Sequence, residues 1–152
     1  MRLWLLRHGE AFPQAPTDAE RPLTPKGRQE VLHSAVQLEG RPIAAILASP
    51  YLRAQQSAEL VRQAIGFRGA IGTVPWLTPD SDPREVIGFL DEREDAEILL
   101  VAHNPLLGDL GGLLIHGHRQ QPLPLRTASL AELEGDFAAA GLMNLLAVVH
   151  PT

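Results

Sequence analysis

The sequence predicts an α/β fold: a single-domain, three-layer αβα sandwich whose central sheet is mostly parallel, with an antiparallel edge strand. Three observations support this prediction. Apolar runs of strand length alternate with stretches of helical period, which is the pattern of βαβ units. Arg2–Leu6 and Ile98–Ala102 are nearly continuous apolar runs, as expected of strands buried on both faces of a parallel sheet. The chain has 152 residues, 45% of them hydrophobic, which suits one domain over residues 1–152 with one substantial core.

Four helices are predicted, and three of them begin with a capping residue followed by proline. The capping side chain accepts a hydrogen bond from the first turn, and proline at the first helical position lacks an N–H that would have no partner there. The predicted helices are Thr24-Pro25 to Gly40, a helix from Ser49-Pro50, Asp82-Pro83 to about Glu94, and Leu106–Ile115. The second helix has small and apolar residues at helical spacing, which predicts a buried stripe close to the sheet: Ala54, Ser57, Ala58, Val61, Ala64 and Ile65.

Six strands are predicted between these helices. They are Arg2–Leu6, Ala44–Ala48, Ile71–Val74, Ile98–Ala102, Ser129–Leu133 and Met143–Val149. The last two flank the glycines at 135 and 141, a turn region that predicts an antiparallel pair. Residues 11–24 contain three prolines among polar residues and are predicted to form a loop.

The composition excludes several classes of function. Thirteen basic and 18 acidic residues give a net charge of −5, which argues against broad electrostatic binding of nucleic acid or of an anionic membrane. The absence of cysteine excludes disulfides, thiolate zinc sites, iron–sulfur clusters and cysteine nucleophiles. No apolar run reaches the length of a signal-peptide core or a membrane span, so we expect a cytoplasmic protein.

Basic side chains follow the carboxyl ends of the predicted parallel strands, where ligands bind in open sheets. Arg7 and His8 follow the first strand, Arg53 lies in the first turn of the second helix, and His103 follows the fourth strand. A guanidinium group offers a rigid fork of donors that matches two phosphate oxygens. We therefore expect a phosphoryl-binding pocket at this edge of the sheet.

His8 is the expected nucleophile, because a neutral imidazole is the best nucleophile available in a chain without cysteine. His103 would donate a hydrogen bond to a non-bridging phosphoryl oxygen, a role for which its protonated form is better suited. Gly9 lets the backbone turn away without a Cβ, which would leave room for a ligand beside the imidazole. Glu10 could orient His8 or transfer a proton.

Four sequence blocks occur in a characteristic order: Leu6–Glu10, Arg21–Gly27, Ser49–Ala54 and His103–Pro105. In order and spacing they resemble the histidine phosphatase superfamily and, within it, the SixA-type phosphohistidine phosphatases. The resemblance implies a phosphoglycerate mutase-like fold and phosphorylation of His8. It also implies that Arg7, Arg53 and His103 complete the phosphate pocket, that Arg21 lies at its rim, and that no metal or other cofactor is needed.

Two departures from the family pattern bear on the substrate. Ser57 stands where the family often has threonine, a change we expect to be structural. Larger relatives that act on sugar phosphates carry an inserted segment with an acid that protonates the leaving oxygen. This chain has only the short stretch 78–82, in which Asp80 or Asp82 could act as that acid. The difference favours phosphohistidine, because its leaving ring nitrogen is only weakly basic whereas an alkoxide needs a proton.

We therefore expect a phosphatase that removes the phosphoryl group from phosphohistidine on a partner protein, such as a phosphorelay or phosphotransfer domain, through a covalent intermediate on His8. Two alternatives remain: a phosphatase of small phosphate esters, and a module that binds a phosphorylated partner without turnover. A mutase is disfavoured, because the chain is too short for a lid that protects the intermediate from water. His116 and His118 resemble a metal pair but lack a third ligand, which favours a solvated turn.

Overall fold

The computed structural model describes residues 1–151 as one six-stranded sheet covered by helices on both faces. The strands are β1 (Arg2–Arg7), β2 (Ala45–Ala48), β3 (Gly72–Thr73), β4 (Glu97–Ala102), β5 (Leu130–Glu134) and β6 (Asn144–Val149). The helices are α1 (Pro25–Ala35), α2 (Leu52–Ile65), α3 (Pro83–Asp91) and α4 (Leu106–His116), with single 3₁₀ turns at Asp18–Glu20 and Val36–Leu38. Within residues 1–151, no helix has the length and apolar character needed to cross a bilayer.

The strands follow the order β3-β2-β4-β1-β5-β6. The first four of these are mutually parallel, and β5 runs antiparallel to both β1 and β6. This topology confirms the predicted α/β sandwich with a mostly parallel sheet. The antiparallel strand β5 lies one place in from the edge, because β6 pairs with its outer side.

The sheet separates two apolar cores, and alternate residues of each central strand enter opposite cores. Leu3 and Leu5 of β1 pack with side chains from α3 and α4. Trp4 and Leu6 pack with side chains from α1 and α2. Burial of a leucine side chain contributes about 1.5–3 kcal/mol, so both faces of β1 stabilise the fold. This two-sided burial explains the unbroken apolar runs in the sequence.

Two of the three predicted proline-containing helix starts are confirmed. The Thr24 hydroxyl accepts a hydrogen bond from Gly27 N (2.9 Å), and the Asp82 carboxylate accepts one from Arg84 N (2.9 Å). The predicted start at Ser49-Pro50 is wrong, because α2 begins at Leu52. Ser49 N still donates to Val101 O of β4 (3.0 Å), so the chain must leave the sheet before it can turn into a helix.

Other differences are confined to element ends. Helix α1 ends at Ala35 and is followed by the 3₁₀ turn Val36–Leu38, so helical structure stops just before the predicted end at Gly40, where φ is 77°. Helix α3 ends at Asp91 rather than near Glu94, and β3 is shorter than predicted because it pairs with only the last two residues of β2. In the α2 stripe, Ala64 is exposed. It lies about 80° around the helix from Ala54, at the margin of the buried face.

The segment after β1 passes against the first turn of α1 at two glycines. A Cβ on Gly9 would lie 2.4 Å from Gly27 O, and a Cβ on Gly27 would lie 2.1 Å from Glu10 O. The expectation that Gly9 leaves room for a ligand is therefore wrong. The α1 backbone fills that space, and the two glycines allow the helix to support the loop that carries His8.

We predict that Gly27→Ala lowers the free energy of unfolding by about 1–3 kcal/mol, because the added methyl group meets the Glu10 backbone. Gly88→Ala is the matched control. Gly88 lies on the exposed side of α3, and a Cβ added to it would have no neighbouring atom within 4 Å, so alanine there should raise stability by up to about 1 kcal/mol. Chemical denaturation measures both variants, and equal effects would contradict the close-packing argument.

Candidate active site

A cavity of about 330 Å³ opens at the carboxyl ends of β1 and β4, beside the first turn of α2. It is lined by Arg7, His8, Glu10, Ala11, Asp18, Arg21, Arg53, Pro79, His103, Asn104 and Thr127. The structure thus brings together all four predicted catalytic residues, together with Arg21 and Glu10. The predicted convergence at the edge of the sheet is observed.

His8 is held in one tautomer. Its Nδ1 lies 2.7 Å from Gly9 O, and because a carbonyl only accepts hydrogen bonds, Nδ1 carries the proton. The lone pair is therefore on Nε2, which accepts a hydrogen bond from Arg53 Nε (3.3 Å). His8 is only 7% exposed, and Nε2 is the ring atom available for attack on a phosphoryl group.

Burial and, after it, the neighbouring guanidinium groups of Arg53, Arg7 and Arg21 together lower the pKa of His8 to about 4, while the hydrogen bond to Gly9 opposes the shift. The imidazole is neutral at neutral pH as a result. A neutral imidazole with its lone pair on Nε2 is the form that a nucleophile requires.

Arg53 connects His8 to two other parts of the chain. It is 4% exposed, and besides His8 it donates to Asp18 O (2.7 Å) and Asp18 Oδ2 (3.1 Å). Its own carbonyl accepts from Ser57 Oγ (2.8 Å), which in turn accepts from Gly9 N (3.2 Å). Ser57 therefore has the structural role expected of it: it joins α2 to the loop that carries His8.

Arg7 lies at the end of β1 with part of its guanidinium group unpaired. Nη1 donates to Leu125 O (3.0 Å), whereas the buried Nε has no partner among residues 1–151. Burial, followed by the charge of Arg53, lowers the pKa of Arg7. A buried N–H without an acceptor costs about 1–3 kcal/mol, and an anion bound in the cavity would remove that cost.

His103 is 1% exposed, and its ring centroid lies 5.1 Å from that of His8. Its Nε2 lies 2.7 Å from Ser49 Oγ, and no atom of residues 1–151 hydrogen-bonds its Nδ1. Burial lowers the pKa of His103 to about 3, with further contributions from His8 and Arg53. His103 is therefore neutral in the free protein at neutral pH. A phosphoryl dianion beside the ring would favour the protonated form.

Arg21 lies at the rim of the cavity, as expected. Its Nε donates to Phe12 O (2.7 Å) and its Nη1 donates to Asp18 Oδ1 (2.9 Å). Arg21 and Arg53 therefore share one carboxylate.

The three candidate acids occupy different places. Glu10 lines the cavity, and its Oε2 accepts a hydrogen bond from Thr24 Oγ1 (2.7 Å). Asp80 and Asp82 do not line the cavity, and Asp82 caps α3. The short stretch 78–82 contributes only Pro79 to the lining. The prediction that Asp80 or Asp82 acts as the acid is therefore not supported by their positions.

Two residues that contact the predicted catalytic groups make contacts that the sequence patterns do not indicate. Ser49 has the pattern of a helix cap, but its hydroxyl contacts His103. Asp18 lies in the irregular loop before α1, where no periodicity or capping pattern marks it, yet it contacts both Arg21 and Arg53. The block His103–Pro105 does indicate Asn104, whose Nδ2 donates to Leu125 O (3.0 Å), the carbonyl that also accepts from Arg7.

The part of the chain that the structure describes contains no group of three or more histidine, aspartate or glutamate side chains placed to hold a metal ion. The rings of His116 and His118 stack with centroids 5.9 Å apart.

Comparisons with known proteins agree with this geometry. Residues 3–76 match the histidine phosphatase superfamily (branch 1). Phosphohistidine phosphatase SixA of Escherichia coli (strain K12) is 32% identical over 149 residues, which cover 95% of this chain and 91% of that protein. A SixA homolog of Haemophilus influenzae is 30% identical over 148 residues, covering 90% of this chain and 89% of that protein.

The fold also matches a solved structure, that of the protein histidine phosphatase SixA complexed with tungstate. The TM-score is 0.89 at 31% identity, and the match covers 99% of this chain and 97% of the other. The putative phosphohistidine phosphatase SixA from Agrobacterium tumefaciens has the same fold, with a TM-score of 0.82 at 24% identity and coverage of 99% and 98%.

We predict that His8 and His103 stay neutral in the free protein at about pH 6, because burial and the nearby guanidinium groups hold their pKa values near 4 and 3. Long-range ¹H–¹⁵N spectra should show His8 as the Nδ1–H tautomer. Imidazolium shifts for His8 at that pH would contradict the prediction.

The same two pKa values predict a pH-dependent stability. The unfolded chain takes up the two imidazole protons near pH 6.5, whereas the folded chain takes them up near pH 4 and 3. The free energy of unfolding should therefore fall as the pH drops below about 6.5. His8→Asn should reduce that slope in chemical denaturation, and a slope unchanged by the substitution would exclude His8 as its source.

Proposed function

The chain belongs to the histidine phosphatase superfamily and is a phosphatase; on this premise, we propose that it removes the phosphoryl group from phosphohistidine on a partner protein, with His8 as the nucleophile. The observation that carries the proposal is the geometry of His8. Its Nδ1 is committed to Gly9 O, and its Nε2 lone pair lies in a cavity lined by three arginines. That arrangement is suited to attack on a dianionic phosphoryl group.

In the first step His8 Nε2 attacks phosphorus in line with the leaving group. The Nε2–P bond forms as the bond from phosphorus to the substrate imidazole nitrogen breaks, and that nitrogen keeps the electron pair. The substrate ring leaves as neutral imidazole, because its other ring nitrogen carries a proton. Arg7 and Arg53 hold the non-bridging oxygens, where negative charge is concentrated during transfer. The unpaired Nε of Arg7 supports this role, since it is a buried donor without an acceptor among residues 1–151.

In the second step a water molecule attacks the phosphorus of the phosphohistidine intermediate. The P–Nε2 bond breaks with its electron pair returning to Nε2, inorganic phosphate leaves with both protons of the water, and His8 returns to its neutral form with Nδ1 protonated. His103 stabilises the transferring group in both steps by donating a hydrogen bond to a non-bridging oxygen. Its pKa of about 3 in the free protein rises beside the phosphoryl dianion, which makes it a better donor when substrate is bound.

The carboxylates of the site favour a substrate with a good leaving group. Asp80 and Asp82 lie outside the cavity lining, and Asp18 is held by two arginines. Glu10 is the remaining carboxylate in the cavity, and it accepts a hydrogen bond from Thr24. Phosphohistidine suits such a site because its leaving ring nitrogen is weakly basic. The relatives described as phosphohistidine phosphatases support the same substrate class.

A second feature supports a protein substrate. A wider groove of about 790 Å³ opens beside the catalytic cavity and shares Asn104 with it. Proline and leucine make up half of its lining, from Pro105 and the segment 122–125, and Arg126 also lines it. The surface around a phosphorylated histidine, as on a phosphorelay or phosphotransfer domain, would have space to approach the cavity along this groove.

The reaction uses no metal or cofactor, because the guanidinium groups supply the positive charge.

We expect brief incubation with labelled phosphohistidine protein to leave an acid-labile, base-stable label on the chain, because His8 Nε2 forms the intermediate. His8→Ala should show no label. His33→Ala is the matched control, since His33 is exposed on α1 and lies outside the cavity lining, and this variant should be labelled like the wild type. A label that persists in His8→Ala would refute the assignment of the nucleophile.

The substrate class is tested by comparing kcat/KM for a phosphohistidine protein with values for aryl and alkyl phosphate esters. We expect the phosphohistidine protein to be turned over most efficiently, aryl esters less so and alkyl esters least, because leaving-group basicity rises in that order. Higher efficiency on alkyl esters would indicate a phosphatase of small phosphate esters. That result would leave the assignment of the covalent intermediate to His8 unchanged.

A further inference from the structure

The Asp18 carboxylate lies in the phosphate cavity against the groups that would bind phosphate. Its Oδ2 accepts from Arg53 Nη2 (3.1 Å) and its Oδ1 accepts from Arg21 Nη1 (2.9 Å). Asp18 lines the same cavity as His8, and its side chain is 56% exposed, compared with 5% for Arg53. A negatively charged group therefore faces two of the three arginines in the site.

This carboxylate is ionised at neutral pH. Hydrogen bonds from Arg21 and Arg53 lower the pKa of Asp18, and the positive charges of both groups add to that effect. Carboxylate and phosphate oxygens bind the same guanidinium N–H donors, so they compete for them. A fixed negative charge beside the bound dianion also opposes phosphate binding.

The carboxylate is not the sole support of Arg53. The main-chain oxygen of Asp18 accepts from Arg53 Nη1 at 2.7 Å, which is shorter than the contact to the carboxylate, and Arg53 Nε donates to His8. Both contacts are independent of the Asp18 side chain. The guanidinium group thus keeps two anchors when the carboxylate is neutralised, which separates the charge of Asp18 from the position of Arg53.

We propose that Asp18 is an internal counter-ion that weakens the binding of free inorganic phosphate and so promotes release of the product. The proposal rests on the proposed function in one respect, namely that inorganic phosphate is the product of the second step. The carboxylate neutralises the arginines between turnovers and takes back their N–H donors as phosphate leaves.

The test compares binding of inorganic phosphate to the wild type, Asp18→Asn and Asp18→Ala by titration calorimetry at neutral pH. Both substitutions should tighten phosphate binding by about three- to tenfold, the scale of one typical net hydrogen bond. Asp18→Ala is needed because asparagine introduces an N–H₂ donor of its own, whereas alanine introduces none. Glu59→Gln is the matched control: it removes one negative charge from α2 outside the cavity lining, and it should leave the affinity unchanged.

Weaker phosphate binding by both variants would show that the carboxylate positions Arg53, and it would overturn the proposal. Unchanged binding would overturn it as well.

Thermal unfolding of each variant establishes that the fold is retained, and Asp18→Glu, which keeps the charge, should restore affinity toward the wild-type value. Calorimetry needs no turnover, so a failure to hydrolyse phosphohistidine would refute the proposed function without deciding this measurement. During turnover, Asp18→Asn should be more strongly inhibited by added phosphate.

Discussion

The rest of the site depends on the hydrogen bonds that the buried guanidinium group of Arg53 makes. It contacts His8 Nε2, the main-chain oxygen of Asp18 and the Asp18 carboxylate, while its own carbonyl accepts from Ser57. A fixed positive charge this close to two buried imidazoles disfavours their protonation. The same group that would bind the phosphoryl dianion therefore adds to the effect of burial, which keeps His8 neutral. It also joins α2, the loop before α1 and the loop that carries His8.

The fold brings the basic residues of the site together. Parallel strands place β1 and β4 side by side with their carboxyl ends at one edge, so residues 95 positions apart in the chain, His8 and His103, become neighbours. Two apolar cores, one on each face, bury the sheet. At the opposite end of β4, Glu97 accepts from Trp4 Nε1 (2.9 Å) and forms an ion pair with Arg41 (2.8 Å). Buried charge is paired at that end, whereas at the candidate active site the buried Nε of Arg7 has no partner within residues 1–151.

How much could be predicted from the sequence depends on how local the signal is. The caps at Thr24 and Asp82 are confirmed because a capping side chain bonds a backbone N–H two or three residues away. Ser49 has the same local pattern, yet its hydroxyl contacts His103, 54 residues further along the chain, and the helix begins later. Gly9 matters as the sequence predicts, but for a different reason. The atom that excludes a side chain there belongs to Gly27, which only the packing of α1 brings near.

The sequence by itself determined the alternation of strands and helices, the buried character of the central strands, and the residues that converge at their carboxyl ends. These follow from hydrophobic periodicity and from the geometry of parallel sheets, which are properties of short segments. Only the tertiary structure decided the protonation states of His8 and His103, the exclusion of Asp80 and Asp82 from the cavity, and the place of Asp18 between two arginines. The physical reason is that pKa values and ion pairs depend on burial and on charges brought close by folding, and neither quantity is encoded in the spacing of residues along the chain.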